Sequence, residues 1–241
     1  KDEAQKKWTK ENIIDNKELR TAIEEAVKGY KNYAEFYKDK LANAIALIAA
    51  TQAKGQRVKF RTTDFKTNEY REQIGGPLFE PDEKNPMMGF RGIHRMLSGS
   101  YKEAFELELE AIRIARQEQS NIDVMFPVVR TVEEMEEAAA LMAKHGLFEG
   151  DDPCQLGIMV EVSANVILAE ELFSKLAELA KKYNTKAFMS IGSNDLTQFV
   201  LALGRDNEKM KPFFNETNPA VKKAIEIVIK TAKKYGITTG L

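Results

Sequence analysis

The strongest constraint on this chain is a repeated change of period. Short β-prone runs alternate with long amphipathic ones, and the connections between them are short. "RVKFRTTDF" predicts a strand near Val58 to Thr62, and "IDVMFPVV", "QLGIMVEV" and "AFMSIG" read the same way. "ITTGL" looks like a strand cut short, and the glycine-flanked "NPMMGFRG" suggests a sixth, between Met87 and Arg91. The intervening segments carry apolar residues at helical spacing: "YKEAFELELEAIRIARQEQ", "TVEEMEEAAALMAKHG", "SANVILAEELFSKLAELAKKY" and "NPAVKKAIEIVIKTAKKYG". Thr131 with Glu134 three residues on forms a capping box at the start of the second. Two further helices come first, "NKELRTAIEEAVKGY" opening on a capping Asn16 and "NYAEFYKDKLANAIALIAATQAKG" ending at Gly55. A loop rich in Gly, Pro and acids is expected from Ile74 to Pro86.

Strand and helix alternating at least four times imply a parallel sheet with crossover helices. Both an open doubly wound sheet and a (β/α)8 barrel satisfy this. A barrel needs about 250 residues for eight units, and only six strands are legible. Missing staves would leave unpaired parallel edges, so the sequence is expected to be part of a longer polypeptide.

Lys and Arg total 36 against 37 Asp and Glu, a net charge of −1. That balance argues against a nucleic-acid partner, although it leaves room for a local anion site. The single cysteine, Cys154, excludes an internal disulfide framework and suits a reducing compartment, with the cytoplasm as the expectation. "LANAIALIAA" is too short to span a bilayer, so no membrane is expected.

The polar residues then fall into a pattern. In "QLGIMVEV", Gly157, Met159 and Glu161 face one way and Leu156, Ile158 and Val160 the other. The apolar set suits packing under helices, which points Glu161 inward at the C-terminal end of its strand. Arg61, Arg91, Asn194 and Asp195 are expected at the same end, where active sites of parallel sheets are built. Each alone has an ordinary reading, a surface salt bridge or a solvated turn. Together, two carboxylates on one rim would repel each other unless a cation joined them. An oxygen-seeking divalent cation such as Mg²⁺ takes one or two carboxylates plus substrate oxygens and water. Guanidinium forks bind phosphate or carboxylate, and the small Gly192 and Ser193 let backbone N–H groups approach an anion. This chemistry suggests a small phosphorylated acid held by arginines and bridged to Mg²⁺.

"VKFRTTDFKTNEY", "EPDEKNPMMGFRG", "IDVMFPVVRTVEE", "IMVEVSANVILAEEL" and "SIGSNDLTQ" together resemble the phosphoenolpyruvate-binding (β/α)8 domain of the phosphoenolpyruvate-utilising enzymes. The likeness runs from about Lys28 to the end. It implies residues 28–241 as a TIM-type barrel lacking its first and last strands, and residues 1–27 as a helical segment of little likeness. It is strongest to members that phosphorylate pyruvate with ATP and water, and weaker around Arg61 to pyruvate, phosphate dikinase or Enzyme I of the sugar phosphotransferase system. The resemblance implies that Arg61 and Arg91 grip the phosphoryl group, that Glu161 and Asp195 ligate Mg²⁺ (or Mn²⁺), and that Asn194 holds the substrate carboxylate. Arg205 in "LALGRDN" matches a further substrate arginine, although Gly204 stands where the family commonly has Asp. The implied partners are phosphoenolpyruvate or pyruvate, a phosphohistidine domain, a nucleotide-binding domain, and a second copy as homodimer.

The family's acid/base cysteine lies in a "G-x-CGQ" loop, which would follow "TTGL". Cys154 precedes its strand, on the opposite rim, and reads as an ordinary loop thiol. His94 and His145 lack a phosphohistidine context, and Met87 and Met88 read as packing beneath the rim. Alternatives to the phosphotransferase are a non-catalytic dimerisation or binding barrel and a Mg²⁺-dependent keto-acid lyase. The "DFK-NEY" and "NPMMGFRG" runs tell against the lyase.

Overall fold

A computed structural model describes residues 17–73, 76–99, 101–204 and 207–240. Asn16 and Arg205 lie outside the described residues. In chain order the elements are α1 (Lys17–Ala26), α2 (Tyr33–Ala50), β1 (Val58–Arg61), α3 (Thr67–Arg71), α4 (Gly76–Phe79), α5 (Ile93–Leu97), α6 (Tyr101–Glu118), β2 (Ile122–Phe126), α7 (Val132–Lys144), β3 (Leu156–Val160), α8 (Ser163–Ile167), α9 (Ala169–Lys182), β4 (Ala187–Ile191), α10 (Ser193–Leu201), α11 (Pro219–Lys234) and β5 (Thr238–Gly240).

The five strands form one parallel sheet in the order β1-β2-β3-β4-β5. Every crossover moves one place in the same direction, and such crossovers are right-handed almost without exception. A doubly wound sheet needs a point where the strand order reverses, and this order has none. The fold is therefore α/β with a curled, half-barrel parallel sheet, in keeping with an incomplete TIM-type barrel. Among the described residues five strands replace the six expected. The segment from Met87 to Arg91 is not a strand, because Phe90 N–H donates to the Glu83 carboxylate (2.9 and 3.1 Å) and to no neighbouring strand. Pro86 instead opens a 3₁₀ turn, Pro86–Met88. The loop expected from Ile74 to Pro86 holds the single turn of α4.

Burial follows from the alternation. Leu156, Ile158 and Val160 are fully buried beneath the outer helices, packed with residues such as Ile112, Met135, Met142, Leu172 and Leu176. The other face of β3 turns inward. Gly157 leaves room there for the Phe188 ring on β4, which a Cβ would approach to 2.2 Å and displace. The run "SANVILAEELF…" breaks into α8 and α9 at Leu168. Thr131 caps α7 as expected, and Asn32 caps α2, each accepting from the N–H three residues on (3.2 and 2.9 Å). The returning carboxylate of Glu134 takes the Arg130 N–H (2.8 Å), one residue before the cap.

The two rims of the sheet differ in chemistry. At the N-terminal rim, buried Asp123 accepts from Arg57 Nε (2.8 Å) and Nη2 (2.6 Å), Lys59 Nζ (2.6 Å) and the Gln155 N–H (2.9 Å). Lys59 Nζ also sits 4.0 Å above the Phe188 ring centroid. Cys154 lies at this rim too. It is fully buried, and burial pushes its thiol up to about 12, so it stays protonated and unreactive.

Candidate functional site

The C-terminal rim holds a cavity of about 390 Å³ whose lining includes Arg61, Asp64, Arg91, Met159, Glu161, Gly192, Ser193, Asn194 and Asp195. All the site residues expected from the sequence and described by the structure meet in this one cavity. They arrive by different routes.

Arg61 is the last residue of β1, and Glu161 lies one residue beyond β3. Arg91 sits on a loop, contrary to the strand expected there, and glycines on both sides set its course. A Cβ at Gly89 would come within 2.0 Å of the Glu83 carboxylate that holds the Phe90 N–H. Gly92 has φ 68° and ψ −152°, a conformation essentially restricted to glycine, and a Cβ there would meet Val128 Cβ at 2.4 Å. Arg130 ties the same loop from the next crossover, donating to Arg91 O (3.2 Å) and Gly89 O (3.3 Å).

Asn194 and Asp195 do not lie on a turn. They occupy the first turn of α10, where acidic and amide side chains suit the positive helix end. Leu196 and Thr197 then carry the buried face. The unpaired backbone N–H groups at such a start are an anion-binding feature. Ser193 Oγ donates to Glu216 (2.9 Å), which ties the start of this helix to the segment before α11.

Electrostatics centre on Arg91, which is almost fully buried. Its Nη2 reaches Asp64 Oδ1 (3.0 Å), Asp64 Oδ2 (2.9 Å) and Asp195 Oδ2 (3.1 Å). Burial would weaken the guanidinium's hold on its proton, but Asp64, Asp195 and Glu161 outweigh it and raise the pKa. Arg61 is half exposed and contacts Asp64 Oδ2 at 3.1 Å. Asp64 therefore bridges the two arginines, a role that its place in "RTTDF" does not announce. Burial pushes the Asp64 carboxyl up, against the pull of Arg91 and Arg61.

Glu161 is 2% exposed, and its Oε1 accepts the Val128 N–H at 2.6 Å. Val128 has φ 49°, unusual for a β-branched residue, and this charged hydrogen bond helps hold the strained backbone. Asn165, also buried, accepts from the N–H groups of Glu161 and Val162 (both 3.0 Å) and donates to Val129 O (2.6 Å). It fixes the end of β3 from the first turn of α8, and nothing in its spacing announced that. Burial first, then Asp64 and Asp195, pushes the Glu161 carboxyl up to about 7, against the Val128 bond and Arg91.

These surroundings fit a divalent cation. Burial and the nearby Asp64 and Asp195 disfavour charge on the Glu161 carboxylate, a strain that a cation beside it would relieve, and an all-oxygen donor set would suit Mg²⁺ or Mn²⁺. Among the described residues no group of three or more His, Cys, Asp or Glu could hold a metal ion, so water and substrate oxygens would complete the coordination. Met87 lines the cavity, its sulfur 3.2 Å from Arg91 Nη1, while Met88 is exposed and not packed beneath the rim. His94 is exposed and pairs with Glu134 (3.2 Å).

A singly wound parallel sheet with arginines, carboxylates and a helix N-terminus on its C-terminal rim belongs with the α/β domains that bind small charged ligands there. Residues 11–241 match the family described as PEP-utilising enzyme, PEP-binding domain (PEP, phosphoenolpyruvate), and the chain belongs to that family. It is 37% identical over 226 residues to the phosphoenolpyruvate synthase of Escherichia coli K12, a match covering 93% of this chain and 27% of that protein. The phosphoenolpyruvate synthase of Aquifex aeolicus is 42% identical over 221 residues, covering 91% of this chain and 24% of the relative. That of Aeropyrum pernix is 42% identical over 211 residues, covering 86% and 24%. The chain thus spans about a quarter of the length of these relatives. Among the described residues no helix is long and apolar enough to cross a membrane.

Proposed function

We propose that this domain binds phosphoenolpyruvate or pyruvate at the C-terminal rim, completing a full (β/α)8 barrel in its whole protein. There it would transfer a phosphoryl group from a phosphohistidine on another domain to the enolate of pyruvate. The overall reaction would be ATP, pyruvate and water to AMP, phosphoenolpyruvate and phosphate. The observation that carries this reading is the single cavity that joins Arg61 and Arg91 to Glu161 and Asp195. Arg61 and Arg91 would hold the phosphoryl oxygens and offset their charge, as positioning and electrostatics dominate such transfers. The N–H groups at the start of α10 and the Asn194 amide would hold the substrate carboxylate. Glu161 and Asp195 would hold Mg²⁺ or Mn²⁺, which supplies positive charge beside the developing enolate when bound. A group that moves a proton at the substrate methyl carbon is also required. The fit of Glu161 and Asp195 to a cation favours this reading over a purely structural barrel, and dimerisation through the domain remains part of the proposal.

The Glu161 carboxyl makes metal binding pH-dependent. Its pKa is raised from 4.5 to about 7, so a cation must displace a proton below that pH. Mn²⁺ affinity is expected to rise about tenfold per pH unit below pH 7, as displacement of one proton requires, and to level off above it. The metal-free fold has the opposite trend. It holds a proton that the unfolded chain releases, so this group's contribution to stability falls from about pH 4.5 to 7. Electron paramagnetic resonance of free Mn²⁺ between about pH 5.5 and 8.5 reads the first trend. A flat profile would remove Glu161 from the metal site.

A further inference from the structure

Glu108 is the one charged residue on the buried face of α6, among Phe105, Leu109, Ala111, Ile112 and Ala115. It is 3% exposed, and among the described residues no cation pairs with it, since Lys38 on α2 reaches Glu110 instead. Burying a lone carboxylate is costly unless its hydrogen bonds return something. Those bonds both go to one residue. Glu108 Oε1 accepts the Thr63 N–H and the Thr63 hydroxyl, each at 2.9 Å.

Thr63 stands where the chain leaves the sheet. Thr62 still continues the ladder, donating to Met125 O (3.1 Å), and Asp64 already bridges Arg61 and Arg91. Behind this segment lies a second cavity of about 390 Å³, with Tyr37, Thr63, Phe65, Tyr70, Tyr101 and Glu108 in its wall. Arg95 also faces it, but its guanidinium is spoken for by Glu80 and lies between the rings of Tyr70 and Tyr101. The open space means that packing gives Thr63 little support on that side, and its two bonds to the Glu108 carboxylate supply it.

We infer that Glu108 is a positioning residue for phosphoryl recognition: by fixing Thr63 it sets the place of Asp64, and through Asp64 the spacing of the Arg61 and Arg91 guanidinium groups. The inference rests on the ligand reading proposed above. It concerns the anion half of the site: Glu161 is held by Val128 and by Asn165 of α8, and Asp195 is placed by the backbone of α10, with one 3.1 Å contact to Arg91. Loss of the Thr63 tie should therefore weaken phosphoenolpyruvate and leave Mn²⁺ alone.

The test uses the 241-residue chain. Mn²⁺ binding is measured by electron paramagnetic resonance, and phosphoenolpyruvate binding by calorimetry at saturating Mn²⁺. Glu108→Leu removes the acceptor and is expected to lose at least tenfold in phosphoenolpyruvate affinity, with Mn²⁺ affinity within twofold of wild type. Glu108→Gln keeps an acceptor oxygen for Thr63 and should recover phosphoenolpyruvate affinity to within about threefold of wild type. Should the leucine variant fail to fold, Thr63→Val decides. It removes one of the two bonds and should lose about threefold or more for phosphoenolpyruvate only, in line with a single hydrogen bond. A folded leucine or valine variant with wild-type affinity overturns the inference, as does a glutamine variant as weak as leucine, or a parallel loss of Mn²⁺. A wild-type chain that binds Mn²⁺ but no phosphoenolpyruvate sinks the functional reading itself, and this inference with it.

Discussion

Arg91→Met should cost the protein both ligand and stability, whereas Arg61→Ala should cost ligand alone. The two arginines share Asp64 but differ in burial. Arg91 is nearly enclosed, with Asp64 and Asp195 in contact and Glu161 close enough to raise its pKa. Removing its charge leaves carboxylates without their counter-ion in a poorly solvated site, which typically costs about 3–5 kcal/mol. Part of this is recovered as Glu161 and Asp64 take up protons. Arg61 is half exposed with one 3.1 Å contact, the kind of pair worth about 0–1 kcal/mol. Each loss of a charged contact to a phosphoryl group in a partly desolvated site should weaken binding by roughly 2–5 kcal/mol, or 30-fold and more. Urea denaturation and calorimetry on the two variants separate these effects. Losses of about 1 kcal/mol or less in binding for both would make the arginines ordinary salt-bridge partners.

Asp123→Ala should give the largest loss of stability away from the cavity. Four donors from three residues converge on this buried carboxylate: two from Arg57, one from Lys59 and the Gln155 N–H. After the change Arg57 keeps Asp152 (2.7 Å) and Lys59 keeps the Gln155 side-chain oxygen (2.9 Å), but the Gln155 N–H loses its acceptor and both cations lose their buried counter-charge. Breaking a buried pair by removing one partner costs about 3–5 kcal/mol. The rim is the one opposite the cavity, so Mn²⁺ affinity at low denaturant should stay unchanged. A stability loss under about 1 kcal/mol would mean that water replaces the carboxylate without penalty.

Much of the architecture was legible because the two periods are so distinct. "LGIMV" and the apolar face of "VEEMEEAAALMAK" could not exchange places without exposing their apolar sets. The sequential strand order was not legible, since helix and strand spacing leave the pairing of strands open. Arg91 was misplaced for a local reason. "GFRG" between a 3₁₀ turn and α5 has the look of a strand, yet the Phe90 N–H is claimed by Glu83, seven residues back. Asn194 and Asp195 read as a turn because both are good turn formers, and only the buried Leu196, Thr197 and Gln198 decide for helix. The cavity residues themselves stood out as charges at strand ends. Asp64, Glu108, Arg130 and Asn165 did not, because their work is to hold other residues, in part through contacts across 27 to 45 positions that leave no spacing to detect.

The most direct test of the site is calorimetric titration of the 241-residue chain with phosphoenolpyruvate, with and without Mg²⁺, repeated for Glu161→Gln and Asp195→Asn. Asp195→Asn keeps a side-chain oxygen near Arg91, so a loss of binding reports on charge at the metal. The expected result is binding by the wild type that depends on Mg²⁺, nearly abolished in both variants while their urea midpoints show them folded. Wild-type affinity in either folded variant, or binding by the wild type that ignores Mg²⁺, would contradict the assignment of Glu161 and Asp195 as the cation site.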